Sequence, residues 1–385
     1  RPSGEKDKMN EMNIRIMAVI LTYRTAPVHI RELTAFTTTK QLAYAGELIK
    51  DIAEECVWVS TCNRTEIYLA TENGVLDRNK VTEYFNKLIG TNISKYMVFL
   101  NDEIAVNHLF RLAVGLDSMV IGEDQILGQV KTAHENAVSS KLCGSVLNTL
   151  FRNAITYAKK VKTETLLSKT SVSVATLAVS SLVRNVNGSN ILLVGASGKT
   201  GGTVLKNLED QKKKFHIFVT SRNKQPIPKT NYNNGITIID YNDRYSYIKD
   251  MDGIISATSS PHCVIDCNRI KDILNDGRHR TFIDLAVPKD IQPFENENCC
   301  YLNIDDFEKI AYSNNSKKTE EIRKAEIIIE DGIREFMNWK LFTENRYLLK
   351  DTDTATKKLI YRIRDTETNQ EFKRIIELLK KELLI

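Results

Sequence analysis

The sequence predicts a multidomain α/β fold: a small α+β domain, a doubly wound parallel-sheet domain, and a C-terminal helical spine. Three observations predict it. The start of the chain follows the order strand, helix, strand, strand, helix. Short apolar runs with helical spacers begin at Ile191, and one charged helical pattern begins at about Ser316. With 385 residues, the chain is long enough for about two or three domains with cores of their own.

The composition is that of an ordinary globular protein, with 42% hydrophobic and 27% charged residues. No apolar run approaches the roughly 18 to 20 residues of a membrane helix, and no secretory signal is visible. The net charge of +5 permits a polyanionic partner without requiring one.

The seven cysteines are odd in number and scattered, which argues against a disulfide framework. They favour a reducing compartment, so we expect a cytoplasmic protein. Cys263 and Cys267 lie near His262 and His279, but this set does not repeat zinc-finger spacing. We therefore predict no metal site.

The first domain is predicted to be a small open sheet with helices on one face, of the ferredoxin-like kind. Apolar or alternating runs indicate its strands, and hydrophobic residues at helical spacing indicate its helices. In chain order these are a strand over 13–23, a helix over 38–52, strands over 56–59 and 67–70, and a helix over 78–89.

A thiol lies at the end of the second predicted strand, in residues 60–66 (STCNRTE). A side chain at a strand end can face a cleft from a rigid support. Arg64 would favour the thiolate of Cys62, which is the nucleophilic form. Cys62 is therefore a candidate nucleophile, although a lone cysteine is more often a small buried residue.

Ser118, Gly122, Gln125 and Gln129 would share one helical face if the whole stretch were helical, with Glu123 at its margin. A polar face with a gap at a glycine suits a small polar ligand. An ordinary solvent-facing surface is the alternative. The helices predicted around this stretch cover residues 104–114, 124–139, 145–164 and 172–187.

The apolar run 191–194 leads directly into a glycine-rich loop and a predicted helix. Such runs with helical spacers predict a parallel sheet covered on both faces, a Rossmann-type domain. Glycines let the backbone approach a pyrophosphate, and the helix N-terminus favours its charge. The inserted Ser197 makes the spacing differ from GxGxxG. The predicted loop residues are Gly195, Ala196, Ser197, Gly198, Lys199, Thr200 and Gly201.

The end of the next strand indicates which dinucleotide binds. Ser221 and Arg222 suit a 2′-phosphate, whereas an acidic residue would hold the ribose hydroxyl of NAD. The sequence thus predicts NADPH rather than NADH. The alternative is that Arg222 is a solvated turn residue.

The spine is predicted from an apolar stripe, and a looser segment after Trp339 leads to a last amphipathic helix over 369–384. A helix of this kind packs on a partner subunit or against the body, and the pattern does not choose between them. The stripe consists of Ile322, Ala325, Ile329, Ile333 and Phe336.

Three motifs resemble those of glutamyl-tRNA reductase. They are residues 60–68 (STCNRTEIY), 115–131 (GLDSMVIGEDQILGQVK) and 284–291 (DLAVPKDI), with shorter matches at 25–28 and 161–165. The resemblance covers the chain from about Ile14 to Trp339 in the same order.

The resemblance implies NADPH-dependent reduction of glutamyl-tRNA(Glu) to glutamate-1-semialdehyde through a thioester, the first step of 5-aminolevulinate and tetrapyrrole (porphyrin and haem) synthesis. Carried over by motif, Cys62 would be the nucleophile and His108 a second residue important for activity, although a single helical histidine is more often structural. The glycine loop would bind NADPH. The glutamyl group would be held by Thr61, Asn63, Arg64, Ser118, Glu123, Asp124, Gln125 and Gln129.

The resemblance also implies three domains: a catalytic and glutamyl-recognition domain over 12–162, an NADPH-binding Rossmann domain over 163–310, and a spinal helix with a short dimerisation region over 311–385. Family members usually carry a further helical dimerisation domain, so a homodimer with a reduced interface is expected. Glutamate-1-semialdehyde aminomutase is a further expected partner. Tyr23 stands where the family often has a histidine, and Ser197 is an additional loop residue.

Two other interpretations remain open: a tRNA-binding relative that has lost catalysis, and a dehydrogenase of the shikimate dehydrogenase type. The reductase is favoured over the inactive tRNA-binding relative by Cys62, His108, Arg64 and the glycine loop. It is favoured over the shikimate-type dehydrogenase by the thiol motif and the spine. A tRNA substrate also predicts phosphate contacts. The candidates are Lys159, Lys160, Lys162, Lys317, Lys318, Arg323 and Lys324.

Overall fold

The structure is a computed structural model, and everything said of it refers to the residues that it describes. Among the described residues, none of the helices combines the length and the apolar character that crossing a bilayer requires. The side chains of Asp124 and Leu383 are outside the description. The described residues are 12–61, 63–118, 120–168, 173–211, 215–222, 235–307, 318–350 and 352–383.

The N-terminal sheet has four antiparallel strands in the order β2-β3-β1-β4. This is the ferredoxin-like order, so the predicted fold is confirmed. The short edge strand β4 and the short helix α1 were not predicted. The elements are β1 (Arg15–Thr22), α1 (Val28–Thr34), α2 (Thr38–Asp51), β2 (Glu55–Ser60), β3 (Arg64–Thr71), α3 (Arg78–Ile89) and β4 (Val98–Asn101).

Helices cover both faces of this sheet, whereas the sequence suggested one covered face. Trp58 of β2 pairs with Ile67 of β3 and packs against Phe85 of α3, with ring centroids 5.7 Å apart. Tyr68, which follows Ile67 in β3, faces the other side of the sheet because side chains alternate along a strand. Its ring lies 5.3 Å from that of Phe151 in a later helix. The expectation was wrong because helices of the following region fold back onto the sheet.

That region contains α4 (Asp102–Val114), α5 (Asp124–Ser139), α6 (Ser145–Glu164) and α7 (Val174–Asn185). The predicted helices agree with these within two residues at each end. Residues 115–118 and 120–123 are turns rather than helix, so the single helical face expected from Ser118 to Gln129 does not exist. Gly115 and Gly122 have φ of 80° and 79°, which favours glycine and folds the chain back on itself.

The second sheet has six parallel strands in the order β10-β9-β8-β5-β6-β7. This is the doubly wound order with its switch point between β5 and β8, and it confirms the Rossmann-type prediction. The elements are β5 (Asn190–Val194), α8 (Lys199–Glu209), β6 (His216–Ser221), β7 (Ile236–Asp240), α9 (Arg244–Ile248), β8 (Gly253–Ser256), α10 (Lys271–Leu274), β9 (Arg280–Asp284) and β10 (Cys299–Asn303).

The spine is α11 (Thr319–Glu344), which packs on α4 and α6. Gly332 allows this approach, because a Cβ there would lie 2.4 Å from Phe110 and 2.6 Å from Tyr157. The segment expected to be loose contains a helix, α12 (Thr354–Thr366), and α13 (Asn369–Leu383) follows it. Phe372 and Ile376 of α13 are buried with Phe342 of the spine, so this helix packs against the body of the chain.

Candidate functional site

A central pocket lies where the N-terminal domain meets the Rossmann-type domain. Polar residues of the first domain and Ile126 form one part of its lining, and Val174, Ala175, Thr200, Leu285 and Ile304 form the rest. Seven of the eight residues predicted to hold the glutamyl group lie in it. They are Thr61, Asn63, Arg64, Ser118, Glu123, Gln125 and Gln129. The side chain of the eighth, Asp124, is outside the described part, and its backbone begins α5.

The turn between β2 and β3 supplies the first of these residues. The Thr61 N–H donates to the Arg64 carbonyl (2.9 Å), and the Asn63 N–H donates to the Thr61 hydroxyl (3.1 Å). The Asn63 carbonyl accepts from the Tyr23 N–H (2.9 Å), which ties the turn to the end of β1. Cys62, the predicted nucleophile, lies outside the described residues.

Arg31 of α1 holds this turn against the second domain. It is 3% exposed, donates from Nη1 to the Asn63 side-chain oxygen (3.3 Å) and forms an ion pair with Asp305. Next to it, Glu32 accepts from the Lys289 N–H (2.8 Å). The sequence pattern did not indicate a role for either residue. The proline before α1, a common residue at helix starts, was the available signal.

A buried charge network lies next to Arg64. Its Nη1 donates to Glu66 Oε1 (2.7 Å), and its Nη2 donates to the Asp117 carbonyl. Glu66 is fully buried, and its Oε2 accepts from the Tyr68 hydroxyl (2.8 Å) and from His108 Nε2 (3.0 Å). The other imidazole nitrogen of His108 is 3.4 Å from Asp117 Oδ2. His108 therefore reaches the central pocket through Glu66 and Arg64.

The network extends to the spine through Arg111. Its Nε lies 3.3 Å from Asp117 Oδ1, and its Nη1 lies 2.8 Å from Glu326 of α11. Asp117 thus joins a helix of the first domain to the loop that carries Ser118. Glu66, Asp117 and Arg111 were not singled out from the sequence, because each of them also has a partner far away along the chain: His108, Arg64 and Glu326, respectively.

These contacts set the charges of the network. Burial alone would raise the pKa of Glu66, but His108 and Arg64 outweigh it and lower that pKa to about 2. Burial alone would lower the pKa of His108, but Glu66 and Asp117 raise it to about 9. Burial opposes ionisation of Asp117 too, and His108 and Arg111 keep its pKa below the usual range. His108 is thus a cation at neutral pH and is held on both nitrogens.

The loop with Ser118 and Glu123 is fixed at both ends. The Gly122 N–H donates to the Gly115 carbonyl (3.1 Å), and a Cβ on Gly122 would lie 2.7 Å from the Leu167 carbonyl oxygen. Lys318, next to the spine, donates to the Ile121 carbonyl (2.6 Å). The loop brings Ser118 and Glu123 to the pocket that Gln125 and Gln129 enter from α5, although they share no helix.

The glycine loop lines a cleft of about 530 Å³ at the switch point of the parallel sheet. Gly195 has φ of 90°, and a Cβ there would lie 2.7 Å from the Ala257 carbonyl. A Cβ on Gly201 would lie 2.1 Å from the Gly195 carbonyl, so this glycine permits α8 to pack on the loop. The predicted residues that line the cleft are Gly195, Ser197, Gly198, Lys199, Thr200, Ser221 and Arg222. Ala196 and Gly201 are buried beside it.

The far end of the cleft contains Arg222, whose guanidinium carbon lies 4.1 Å from the centre of the Tyr241 ring. The loop at 257–261, after β8, also lines the cleft and was missed. Its position at the carboxyl end of the strand beside β5 was the signal that could have found it. Thr200 lines both the cleft and the central pocket. A dinucleotide therefore fits the cleft, with one end at the pocket.

The basic residues predicted to contact phosphate differ in exposure and in their partners. Lys159, Lys160 and Lys162 are exposed on α6. Lys318 is 6% exposed and bonded to the Ile121 carbonyl, so its prediction as a phosphate contact was wrong. Arg323 and Lys324 pair with neighbouring glutamates of the spine. Lys317 lies outside the described residues.

No group of three or more potential metal ligands occurs among the described side chains. Cys263 instead contacts the Ile265 and Asp290 carbonyls, and Cys267 contacts the Gln292 carbonyl. Both thiols therefore donate hydrogen bonds to backbone carbonyls of the Rossmann-type domain.

Comparison with known proteins relates both domains to families. The family profile of the glutamyl-tRNA(Glu) reductase N-terminal domain matches residues 19–165, and that of shikimate/quinate 5-dehydrogenase matches 176–310. The glutamyl-tRNA reductase of Clostridium novyi is 32% identical over 95% of this chain and 90% of its own. That of Pelotomaculum thermopropionicum is 33% identical over 84% of this chain and 75% of its own. Among solved structures, glutamyl-tRNA reductase from Methanopyrus kandleri is 26% identical, with a TM-score of 0.44 over 95% of this chain and 93% of that one.

Proposed function

The chain belongs to the glutamyl-tRNA reductase family, and on that premise we propose how its own residues carry out the reaction. The enzyme is an oxidoreductase that reduces the activated carboxyl group of glutamyl-tRNA to glutamate-1-semialdehyde, the first step of tetrapyrrole synthesis. The observation that carries the proposal is the central pocket, where Asn63, Arg64 and Glu123 lie beside Thr200 of the glycine-loop cleft.

Cys62 acts as the nucleophile. Its thiolate attacks the ester carbonyl, the bond between the acyl carbon and the ribose oxygen breaks, and that oxygen leaves as a hydroxyl by taking up the proton that the thiol had lost. The product is a glutamyl thioester, which keeps the acyl group in place for reduction. Thr61 and Asn63 flank Cys62 in sequence and line the central pocket, which supports this role. The cation of Arg64 favours the thiolate form.

The polar lining orients the glutamyl group. Arg64 binds the side-chain carboxylate, and the Glu123 carboxylate receives the ammonium group. Asn63, Ser118, Gln125 and Gln129 complete the hydrogen bonds. Arg64 is already held by Glu66 and the Asp117 carbonyl, so its guanidinium is oriented before the substrate arrives. His108 acts through Glu66 as a positioning residue.

The glycine-loop cleft binds NADPH. The Gly195-to-Gly201 loop and the N-terminus of α8 hold its pyrophosphate, and Ser221 and Arg222 hold its 2′-phosphate. Bound NADPH supplies a hydride. Thr200 and Leu285 bound the side of the central pocket that belongs to the Rossmann-type domain, and this supports transfer to an acyl group held there. The sulfur of Cys62 finally leaves the reduced carbon and is regenerated as a thiol.

The enzyme works as a homodimer in the cytoplasm and passes its aldehyde to glutamate-1-semialdehyde aminomutase. The exposed apolar residues of α12 and α13, Leu359, Tyr361 and Leu378, support a subunit contact. The scattered cysteines support a reducing compartment. The reactivity of an aldehyde supports its direct transfer.

The test uses glutamyl-tRNA with and without NADPH. With NADPH, the wild-type protein should form the semialdehyde. Without it, intact-mass measurement should show a glutamyl adduct. Cys62→Ser should abolish both, whereas Cys300→Ser, a half-buried cysteine of the edge strand β10, should retain both. Semialdehyde formation by Cys62→Ser would exclude the thioester mechanism, and its absence in the wild type would overturn the proposed function.

A further inference from the structure

A third cavity, of about 370 Å³, lies in the N-terminal domain between α2, β2 and α5. We refer to it as the α2–α5 cavity. Its volume is within the range of roughly 300–1,000 Å³ that small-molecule sites occupy. Gln129 lines both this cavity and the central pocket, and Ser60 of the cavity directly precedes Thr61 of the pocket. The two spaces are therefore neighbours.

The chemistry of the substrate restricts what can occupy the α2–α5 cavity. In an aminoacyl-tRNA the acyl group is esterified to the ribose of the terminal adenosine, so that nucleoside must lie next to the bound acyl group. The glycine-loop cleft shares Thr200 with the central pocket, and the α2–α5 cavity shares Gln129 with it. The first is shaped for a dinucleotide. The second is therefore the candidate for the nucleoside of the substrate.

The lining of the α2–α5 cavity suits a nucleobase. Leu42 and Ala45 of α2 and Ala133 of α5 provide apolar contacts for the faces of a base. Gln41 and Asn136 provide amides, which carry both a donor and an acceptor. An adenine edge presents an amino donor beside a ring-nitrogen acceptor, and amide side chains match that pair. The Gln41 amide is already oriented, because its Nε2 donates to the Phe36 carbonyl (2.6 Å).

A cation lies at the junction of the α2–α5 cavity and the glycine-loop cleft. Lys199 lines both, and its Nζ would be 3.8 Å from a Cβ on Gly128 of α5. The terminal nucleotide of a tRNA carries a phosphate on its 5′ side. An ammonium group beside α5 can pair with that phosphate when the base is in the cavity.

We propose that the α2–α5 cavity binds the terminal adenosine of glutamyl-tRNA, with Asn136 and Gln41 as base-recognition residues. This inference rests on the proposed function, because it assigns a site to a second part of the same substrate. It divides the substrate between two cavities. The central pocket binds the glutamyl group, and the α2–α5 cavity binds the nucleoside to which that group is attached.

The kinetic test compares two acyl donors: glutamyl-tRNA and a glutamyl thioester of N-acetylcysteamine, which has no nucleoside. Asn136→Leu removes the amide, and Ala133→Leu fills the cavity. Each should lower kcat/KM for glutamyl-tRNA about 10-fold or more relative to kcat/KM for the thioester. Val138→Leu, on the solvent side of the same helix, is the matched control and should leave this ratio unchanged. Equal effects on both donors, or none on glutamyl-tRNA, would overturn the inference.

A binding test separates failure of the inference from failure of the proposed function. An uncharged RNA hairpin ending in CCA should bind the wild type about 10-fold more tightly than one ending in CCC, and Asn136→Leu should lose the difference. If the wild type reduces neither donor but still distinguishes the two hairpins, the proposed function fails and the cavity assignment stands. If it reduces both donors but does not distinguish the hairpins, the cavity assignment fails and the function stands.

Discussion

The Nε2 atom of His108 lies 3.0 Å from Oε2 of Glu66, and both residues are fixed by further charged groups. Glu66 also pairs with Arg64, which lines the central pocket, and His108 also approaches Asp117. The histidine is thus a cation with acceptors on both nitrogens. A group in this state cannot accept a proton from a thiol at neutral pH. Its contribution is to hold Glu66 ionised and, through it, to orient Arg64.

Glu66→Gln tests the centre of the network. The substitution keeps the size of the side chain but leaves Arg64 and His108 without their shared carboxylate. Loss of one partner in a buried ion pair costs about 3–5 kcal/mol, and the retained amide should reduce this to about 2–3 kcal/mol. Urea unfolding followed by circular dichroism measures the change. Glu326→Gln, at the exposed end of the network, should cost less than about 1 kcal/mol. Equal costs for both variants would contradict the central position of Glu66.

The network also predicts a pH dependence. The pKa of His108 rises from 6.5 to about 9 on folding, because Glu66 and Asp117 outweigh the effect of burial. The stability that His108 contributes is therefore fully present below about pH 6.5 and is lost as the pH rises through about 9. Wild type and His108→Gln should differ in Tm at pH 7 and converge near pH 10. The ¹⁵N shifts of the imidazole should show a doubly protonated ring at pH 7.5. A neutral ring at that pH would refute the charge assignment.

The sequence predicted the two sheets because their patterns are local. Apolar runs such as 191–194, and amphipathic helices such as α5 and α6, carry periodicities that depend on neighbouring residues alone. The missed elements lack such a signal. β4 has four residues, of which the end residues Val98 and Asn101 are exposed, and α1 has seven. The sequence predicts a looser segment before α13, whereas the structure has α12 there, with Ile360 as its buried residue.

The sequence predicted part of the candidate site, but the single helical face expected from Ser118 to Gln129 does not exist. Ser118 and Gln129 line one pocket, as the spacing suggested, but they do so through the turn at Gly122 rather than along one helix. The contacts of Arg31 with Asp305 and of Glu66 with His108 join residues far apart in the chain. Periodicity cannot reveal such pairs, because each partner alone has an ordinary local pattern.

Two glycines of the same loop should respond differently to alanine. A Cβ on Gly201 would lie 2.1 Å from the backbone carbonyl of Gly195, so the loop or α8 must move. A Cβ on Gly198 would lie 3.4 Å from that carbonyl, and its φ of −76° suits any residue. Gly201→Ala should therefore lower the Tm of the protein by about 4 °C or more, whereas Gly198→Ala should change it by less than about 2 °C. Thermal unfolding followed by circular dichroism, without added dinucleotide, gives both values. Equal Tm values for the two variants would exclude the packing role of Gly201.

The choice between the two dinucleotides should depend on Arg222. Its guanidinium carbon lies 4.1 Å from the centre of the Tyr241 ring, at the end of the glycine-loop cleft that follows strand β6. A planar cation held on an aromatic ring suits a phosphate. Arg222→Ala should therefore weaken NADPH binding about 10-fold or more and leave NADH binding within about twofold. Tyr241→Leu removes the ring but keeps the charge, and it should weaken NADPH binding by a smaller factor. Isothermal titration of the wild type and both variants with both dinucleotides measures the six affinities. If Arg222→Ala lost NADPH and NADH affinity equally, the residue would support the cleft without recognising the 2′-phosphate.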